Sequence, residues 1–309
     1  MLRKPKIAVI GVGNCGCNIV TSLAETRLNV DKLMAINTDT LSLFSFPLHD
    51  RFLVGKTVTF GLGAGGDVVK GREAAIESLD ELINDLVYFD VLIAICGLGK
   101  GTGGGATPVI LKGVGKRNPN CFRLTVTVLP FRFEGGYRAD LARTSLSEIE
   151  ENSELVVLVK NDDIASVYGV LPSRYALACA DTYLSVFLKA LTLSLTTGDY
   201  IPRLGVEDLR SLSDLGKFCL VDYVSVKLEN LNIIPELILH KLEIYDVNSL
   251  KGVLALLEGP AELPYSNVKG LIEALASRLS LERVYWSFKQ VKANLVKLSY
   301  LGAGVKPSV

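Results

Sequence analysis

Short apolar segments alternate with helix-like segments through the first half of the chain, and this alternation constrains the fold more than any other feature. The apolar segments are rich in β-branched residues and have no polar face, as is typical of strands buried in a parallel sheet. They are KIAVIGV, KLMAIN, DVLIAIC, RLTVTVLP and ELVVLVKN. Strands that alternate with helices predict a doubly wound α/β fold, in which a ligand binds at the carboxyl ends of the strands.

The segments between these strands have the residue spacing of helices. Residues 67–86 place apolar side chains near i, i+3 and i+4, and Asp67 is the predicted N-cap. Two further helices are predicted by ATPVILKGVGKR and YRADLARTSLSEIEEN. The segment Ser173–Thr197 is long, apolar and free of Gly and Pro, so it predicts a buried central helix that Gly198 terminates.

The pattern changes after about residue 200 and predicts a second, smaller α/β domain. Strands are predicted by GKFCLVDYVSVKL, SLKGVLALLEG, ERVYWSFKQ and ANLVKLSYL. The segment YSNVKGLIEALASRL predicts a helix, with Ser266 as its cap. We therefore expect three parts: a first domain over 1–172, a central connecting helix over 173–200, and a C-terminal α/β domain over 201–309.

The composition excludes several classes of protein. Among 309 residues, 33 Lys and Arg balance 33 Asp and Glu, whereas nucleic-acid binders usually have a basic excess. The six cysteines are scattered and there are two histidines, so no metal site is expected, and this cysteine usage indicates a reducing compartment. No segment approaches the ~20 apolar residues of a membrane helix. We expect a soluble, cytoplasmic protein that neither binds nucleic acid nor inserts into a membrane.

Three glycine-rich loops follow predicted strands, and glycine lets a backbone approach a phosphate closely. The first loop is GVGNCGCN, over 11–18, and the second is GLGAGGD, over 61–67. The third is GLGKGTGGG, over 97–105, with a lysine in its middle. Three such loops at three strand ends indicate a pocket that surrounds a triphosphate mainly with backbone groups.

Two familiar phosphate motifs fit this chain poorly. The spacing G-x-G-x-x-G at Gly11, Gly13 and Gly16 matches a dinucleotide site, with Asp39 as the acidic residue expected further on. A dinucleotide fold does not need two more glycine-rich loops, however. The segment RFLVGKT resembles a P-loop, but Asp50 stands where that motif requires glycine.

The three loops together make the chain resemble the tubulin/FtsZ superfamily, in particular its archaeal FtsZ-like and CetZ-like members. GLGKGTGGG resembles the signature G-G-G-T-G-[ST]-G of that family, and GLGAGGDVVKGREAAIES is similar to FtsZ sequence. Further similarities lie in AINTD, PFRFEGGYRADLA, LVVLVKNDDI and GVLALLEGPAELPYSNV. The resemblance covers nearly the whole chain and implies a tubulin/FtsZ fold whose first domain binds GTP or GDP, with Mg²⁺ as a candidate companion ion.

The resemblance also assigns candidate nucleotide-binding residues. In the first loop and the second-strand loop they are Gly11, Gly13, Asn14, Cys15, Gly16, Asn18, Asn37 and Asp39. In the second and third loops they are Gly63, Ala64, Gly65, Gly66, Gly99, Lys100, Gly101, Thr102 and Gly103. The implied contacts to ribose and phosphate are Glu134 and Arg138, and the implied contacts to guanine are Asn161 and Asp181. Without the resemblance, Glu134 and Arg138 are better explained as a surface i, i+4 ion pair.

The acidic loop that would complete catalysis from a neighbouring subunit is depleted in this chain. The family pattern N-x-D-x-x-D aligns with residues 203–208, so that Arg203 replaces the Asn and Gly205 the first Asp. Asp208 remains, with Glu207 beside it, and these two are the candidate catalytic residues; a shifted alignment would recruit Asp199 instead. Hydrolysis needs a carboxylate to orient or deprotonate water, so turnover is expected to be impaired. Two roles stay open for Arg203: it slows turnover, or it acts on the neighbour's phosphates as an arginine finger.

These observations predict a GTP-binding cytoskeletal protein that forms head-to-tail filaments with itself or with a related filament protein. The alternative is a non-hydrolysing GTP-binding scaffold or regulator that does not polymerise by itself. Lys100 is a second departure from the family, which usually has a small residue there; its side chain is expected either to reach a phosphate or to point to solvent.

Overall fold

The computed structural model describes residues 3–26, 28–168, 173–245 and 250–306, apart from the side chains of 164–165, 167–168 and 173–181. The chain divides into two compact units. The first unit comprises residues 5–162 and the second comprises residues 163–307.

The first unit is built on six parallel strands, as the alternating apolar segments predict. The strands are Ile7–Val12 (β1), Lys32–Asn37 (β2), Asp50–Leu53 (β3), Val91–Gly97 (β4), Phe122–Leu129 (β5) and Leu155–Lys160 (β6). Their order is β3-β2-β1-β4-β5-β6, and every neighbouring pair is parallel. The strand order reverses beside β1, between β2 and β4. Such a switch point is where doubly wound sheets bind their ligands.

Helices follow each of these strands and cover the sheet. They are Gly13–Glu25 (α1), Thr40–Ser45 (α2), Lys56–Thr59 (α3), Val68–Glu77 (α4), Leu79–Leu86 (α5), Gly101–Arg117 (α6), Gly136–Glu151 (α7) and Asn161–Tyr168 (α8). A short 3₁₀ helix, Arg132–Glu134, precedes α7. The strands β1 and β4 are buried almost throughout, because helices cover both faces of the sheet.

The structure corrects two of the predicted helix boundaries in this unit. The helix predicted over 67–86 is divided at Ser78, whose hydroxyl accepts a hydrogen bond from the backbone N–H of Gly55 at 3.0 Å. The helix predicted to begin at Ala106 begins at Gly101 instead, so that part of the third glycine-rich loop forms its first turn. Glycine is a poor helix former, and the packing of α6 against α4 stabilises this start.

The second unit has helices on a mostly antiparallel sheet. Its helices are Ser173–Thr196 (α9), Val206–Ser213 (α10), Ile234–Ile244 (α11) and Tyr265–Arg278 (α12). Its strands are Tyr200–Ile201 (β7), Phe218–Lys227 (β8), Gly252–Gly259 (β9), Arg283–Gln290 (β10) and Leu295–Ala303 (β11). The order is β8-β11-β9-β10-β7, and β9 with β10 is the parallel pair.

The core of the second unit lies between this sheet and the helices α11 and α12. The four strands predicted here and the helix α12 are present. The predicted cap is wrong, however, because Pro264 and not Ser266 occupies the N-cap position of α12. Proline presets the extended backbone that a chain needs immediately before a helix. Within the described part of the chain, none of the helices combines the length and apolar character required to cross a membrane.

Candidate nucleotide-binding site

A cavity of about 450 Å³ opens at the carboxyl ends of β1, β2 and β4, where the switch point places it. Its volume lies within the range of about 300–1,000 Å³ that small-molecule sites occupy. Its lining comes from all three glycine-rich loops, from the end of β2 with the two residues that follow it, and from the start of α7: Val12, Gly13, Asn14, Cys15, Asn37, Thr38, Asp39, Leu62, Gly63, Ala64, Gly65, Gly66, Gly97, Lys100, Gly101, Thr102, Gly103 and Arg138.

Two helices begin at this cavity. The first residues of α1, from Gly13, and of α6, from Gly101, belong to its lining. Neither helix has an acidic residue in its first turn or a side chain that caps its start. Their first backbone N–H groups therefore have no side-chain partner from a cap, and the helix dipoles favour an anion. Two helix N-termini at one cavity suit a polyphosphate.

Glycine is required where these two helix starts approach each other. Gly13 has φ of +72°, and a Cβ there would stand 3.0 Å from the backbone N of Gly103. A Cβ on Gly103 would stand 2.3 Å from the carbonyl O of Gly97. Any larger residue at Gly103 would push α6 away from β4 and enlarge the gap between the two N-termini. The glycines thus set the spacing of the N–H groups around the cavity.

Side chains from distant parts of the sequence are joined by hydrogen bonds in the cavity wall. The Asn37 side chain donates from Nδ2 to Oδ1 of Asn14 at 2.6 Å, and its Oδ1 accepts from the backbone N of Thr38 at 2.9 Å. The hydroxyls of Thr38 and Thr102 are 2.7 Å apart. These bonds connect the first loop, the end of β2 and the start of α6, so the wall is held rigidly before a ligand binds.

The carboxylate of Asp39 serves the local backbone. It caps α2 by accepting from the backbone N–H of Ser42 at 2.8 Å. Asp39 also forms a bridge with Leu62, which holds the second glycine-rich loop beside the end of β2. Asp39 also belongs to the cavity lining, and the cap engages only its Oδ1.

Lys100 and Arg138 bring positive side chains to the cavity. Lys100 is the N-cap residue of α6 and is exposed. Arg138 lies in the first turn of α7 and forms an ion pair with Glu134, one turn earlier. Glu134 and Arg138 are therefore both an i, i+4 pair and a way of orienting a guanidinium at the cavity, because Arg138 belongs to its lining.

Several predicted residues lie outside the cavity lining. Gly11 and Gly16 face each other where α1 packs on β1, and Gly99 packs against Arg138 and Pro130. Asn18 is exposed one turn beyond Asn14, and Asn161 is half-buried as the first residue of α8. Glu134 is not a lining residue, but its ion-pair partner Arg138 is. The side chain of Asp181 lies outside the described residues.

Four lining residues were not among the sequence-based candidates: Val12, Thr38, Leu62 and Gly97. Thr38 lies within AINTD and Gly97 within the third glycine-rich loop, so both stretches were recognised although these residues were not selected. The missing information was the hydrogen bond between Thr38 and Thr102, which are 64 residues apart. Only the register of β2, β1 and β4 brings these two hydroxyls together.

The two candidate catalytic carboxylates lie at the start of α10, in the second unit. Asp208 accepts from the backbone N–H of Gly205 at 2.7 Å and so caps its own helix. Glu207 is exposed and lies 3.4 Å from Arg210. Arg203 donates to the carbonyl O of Leu195 at 3.3 Å. Asp208 is thus partly engaged, whereas Glu207 extends into solvent.

Three buried cysteines are poorly suited to nucleophilic or metal chemistry. Burial is the main cause that raises the pKa of Cys17, Cys96 and Cys121, each to about 12, so these thiols are protonated at neutral pH. A thiol must be a thiolate to act as a nucleophile or ligand. Among the described residues, no group of three or more His, Cys, Asp or Glu is placed to hold a metal ion.

Comparison with known proteins identifies the family. Residues 6–169, just over half of the chain, match the model of the Tubulin/FtsZ family, GTPase domain. The chain belongs to the tubulin/FtsZ family. It is a GTP-binding, FtsZ-like protein of that cytoskeletal family, and the cavity at the switch point lies within the matched domain.

Two of its relatives are FtsZ proteins of archaea. The chain is 32% identical over 289 residues to cell division protein FtsZ 1 of Pyrococcus horikoshii, which covers 93% of this chain and 77% of the relative. It is 29% identical over 308 residues to cell division protein FtsZ of Methanothermobacter thermautotrophicus, covering 98% and 80%.

Solved structures show the same fold. An empty FtsZ dimer of M. jannaschii superposes with a TM-score of 0.86 at 26% identity, covering 98% of this chain and 89% of that one. A GTPγS-bound protofilament of CetZ2 from Haloferax volcanii superposes with a TM-score of 0.83 at 21% identity, covering 98% and 94%. The second likeness concerns the fold alone.

Proposed function

We propose that this chain binds GTP in the cavity at the switch point and assembles head to tail, with the nucleotide at the contact between successive copies. The observation that carries the proposal is the convergence of two helix N-termini and three glycine-rich loops on one cavity. Such a site suits a triphosphate. The FtsZ dimer of M. jannaschii, which shares the fold at 26% identity, supports the assembly.

Guanine is the base that the sequence favours. A carboxylate at Asp181 accepts hydrogen bonds from the N1–H and the 2-amino group of guanine, a donor pair that adenine lacks. Asn161, at the start of α8, is the second proposed base contact. In this proposal the phosphates of GTP lie toward the starts of α1 and α6.

An apolar rim beside the cavity supports self-association. It consists of Leu41, Phe60 and Leu62, which are 86%, 80% and 81% exposed. The backbone hydrogen bond from Thr40 N to Gly61 O holds these residues near one another. Exposed apolar residues grouped around a site mark a surface that another protein covers. In the second unit, exposed Ile201 lies beside the start of α10 and is the proposed counterpart on the next copy.

Hydrolysis at this contact is proposed to be slow. In the head-to-tail arrangement Asp208 and Glu207 would reach the nucleotide of the next copy. Asp208 already accepts from the N–H of Gly205, so one of its oxygens is engaged and less available to orient a water molecule. Mg²⁺ belongs to this proposal as an ion carried by the phosphates, because Asp39 is the one carboxylate in the described lining.

The hydrogen bond that Asp208 accepts from Gly205 also supports a second candidate function. A chain that does not hydrolyse GTP would retain it and act as a scaffold or regulator of a related filament protein without polymerising by itself. Retention of intact GTP through purification, together with a monomer at every concentration, is the result that favours this function.

The experiment measures sedimentation and phosphate release over a range of protein concentrations, with GTP and with GTPγS. We expect nucleotide-dependent pelleting and a slow turnover that rises steeply with protein concentration. Asp208→Asn retains an oxygen for the Gly205 hydrogen bond and removes the charge, so it should lower turnover further and leave GTP affinity unchanged. Asp214→Asn, at the opposite end of α10, is the matched control.

Two results would contradict the proposal. Turnover that Asp208→Asn leaves unchanged would remove Asp208 from the catalytic role. A wild-type protein that binds GTP and stays monomeric at all concentrations would replace the filament with the scaffold function.

A further inference from the structure

Lys100 is a cavity cation without a protein partner among the described residues. It belongs to the cavity lining, and its side chain makes no ion pair or hydrogen bond with any residue that the structure describes. Arg138, the other basic lining residue, is paired with Glu134. An unpaired lysine beside a polyphosphate cavity has its full charge available for an anion.

The backbone that carries Lys100 is fixed in place. A Cβ on Gly101 would stand 2.7 Å from the Cβ of Ala64 and 2.8 Å from the carbonyl O of Asp67. Together with the tight contact of Gly103 on Gly97, these approaches lock the start of α6 between β4 and the second glycine-rich loop. Only the side chain of Lys100 is therefore free to move, and its stem begins at the first turn of α6.

The charges of the lining favour a protein cation over a bound metal. Mg²⁺ in proteins is usually held by one or two carboxylates together with phosphates. In the described lining the only carboxylate is Asp39, and one of its oxygens accepts from the N–H of Ser42. A triphosphate in this cavity would therefore meet Lys100, the paired Arg138 and two helix N-termini, whose positive charge favours it without a metal.

We propose that Lys100 holds the terminal phosphates of the nucleotide and allows the chain to bind GTP in the absence of a divalent cation. The inference rests on the proposed binding of GTP and deepens it by naming the residue that replaces the metal in binding. The charge of Lys100 lies at the end of a flexible side chain that can reach the terminal phosphate. Its contribution to affinity is therefore larger for GTP than for GDP.

The test compares wild type, Lys100→Met, Lys100→Arg and Lys112→Met for binding of GTP and GDP, in EDTA and in Mg²⁺. Lys112 is an exposed lysine on the same helix and outside this cavity, so it is the matched control. We expect wild type to bind GTP in EDTA within about threefold of its Kd in Mg²⁺. Lys100→Met should weaken GTP binding in EDTA by about ten- to a hundredfold, the loss of a charge-assisted hydrogen bond. Lys100→Arg and Lys112→Met should remain near wild type.

A second measurement uses wild type alone, so its result does not depend on whether a variant folds. Binding of GTP by wild type in EDTA should weaken as salt rises, because screening reduces the attraction of Lys100 for the phosphates. Insensitivity to salt would overturn the proposal.

The remaining outcomes separate this inference from the proposed function. Wild type that binds GTP only with Mg²⁺, or Lys100→Met that binds like wild type in EDTA, overturns the role of Lys100 and leaves GTP binding intact. If Lys100→Met and Lys100→Arg lose GTP affinity equally, the shape of the side chain and not its charge is responsible, which also overturns the role of Lys100. Wild type that binds no guanine nucleotide in either buffer rejects the proposed function itself.

Discussion

At the scale of single residues, glycine has two separate tasks in this chain. Gly13 and Gly103 space the two helix starts around the cavity. Gly16 lies deeper, where a Cβ would stand 2.1 Å from the carbonyl O of Ile95. Gly16 therefore allows α1 to pack against β4 at a distance that no side chain permits. The spacing G-x-G-x-x-G mixes both tasks, and only the structure separates them.

Gly16→Ala should lower the free energy of unfolding by about 1–3 kcal/mol, because the added methyl group overpacks α1 against β4. The measurement is urea unfolding followed by circular dichroism. Gly270→Ala is the control, since Gly270 lies inside α12 and a Cβ there would meet no neighbouring atom within 4 Å. That substitution should raise the free energy of unfolding by up to about 1 kcal/mol, as expected for alanine in a helix. Equal effects of the two substitutions would reject the packing role of Gly16.

At the scale of elements, the start of each helix depends on a partner that local sequence reveals only in part. Asp67 caps α4 as predicted, and its carboxylate accepts from the N–H groups of Val69 at 2.8 Å and Lys70 at 3.3 Å. The start of α6 has no such cap. Its glycines have no side chains, so the first turn lacks the apolar periodicity that predicts a helix. Contact with α4 and β4 replaces the missing local signal.

Asp67→Ala should lower the free energy of unfolding by about 1 kcal/mol, because two N–H groups at the start of α4 lose their acceptor. Thermal unfolding of the purified variant measures this loss. Ser266→Ala is the comparison, since Ser266 lies inside α12 and does not cap it. Its free energy of unfolding should stay within about 0.5 kcal/mol of wild type. A larger loss for Ser266→Ala than for Asp67→Ala would contradict both assignments.

At the scale of the whole molecule, the chain combines the cavity at the switch point with an exposed apolar surface. The rim of Leu41, Phe60 and Leu62 lies beside the cavity entrance, so a partner that covers the rim would also enclose a nucleotide bound as proposed. Assembly and nucleotide binding are therefore proposed to depend on each other. A carboxylate donated by the next copy would complete the site only in the assembled state.

Leu41→Ser should raise the protein concentration needed for GTP-dependent pelleting by about ten- to a hundredfold, because burying a leucine contributes about 1.5–3 kcal/mol. Leu41 does not line the cavity, so the Kd for GTP measured at protein concentrations too low for assembly should not change. Tyr88→Ser is the control, because Tyr88 is 73% exposed at the end of α5 and away from the rim. Pelleting of Leu41→Ser at the wild-type concentration would show that the rim lies outside the contact.

The fold was largely predictable because its signals are local. Apolar segments without a polar face predicted β1, β2, β4, β5 and β6, and β-rich segments predicted β8 to β11. The short strand β3, with exposed residues at its start, has no such signal and escaped prediction. The division at Ser78 also escaped, because the residue that holds it, Gly55, lies 23 positions earlier in the chain.

The sequence by itself determined the strand and helix alternation, the three glycine-rich loops and the lysine among them, since each follows from the chemistry of neighbouring residues. Only the tertiary structure decided that Asn14 meets Asn37, that Thr38 meets Thr102, and that Lys100 lies in the lining of the cavity with no ion-pair partner in the described part of the chain. These residues are brought together by the register of parallel strands, and register is set by burial of the whole sheet. Local sequence therefore predicts that a phosphate cavity exists, whereas the charges and hydrogen bonds of that cavity depend on how strands distant in the sequence align.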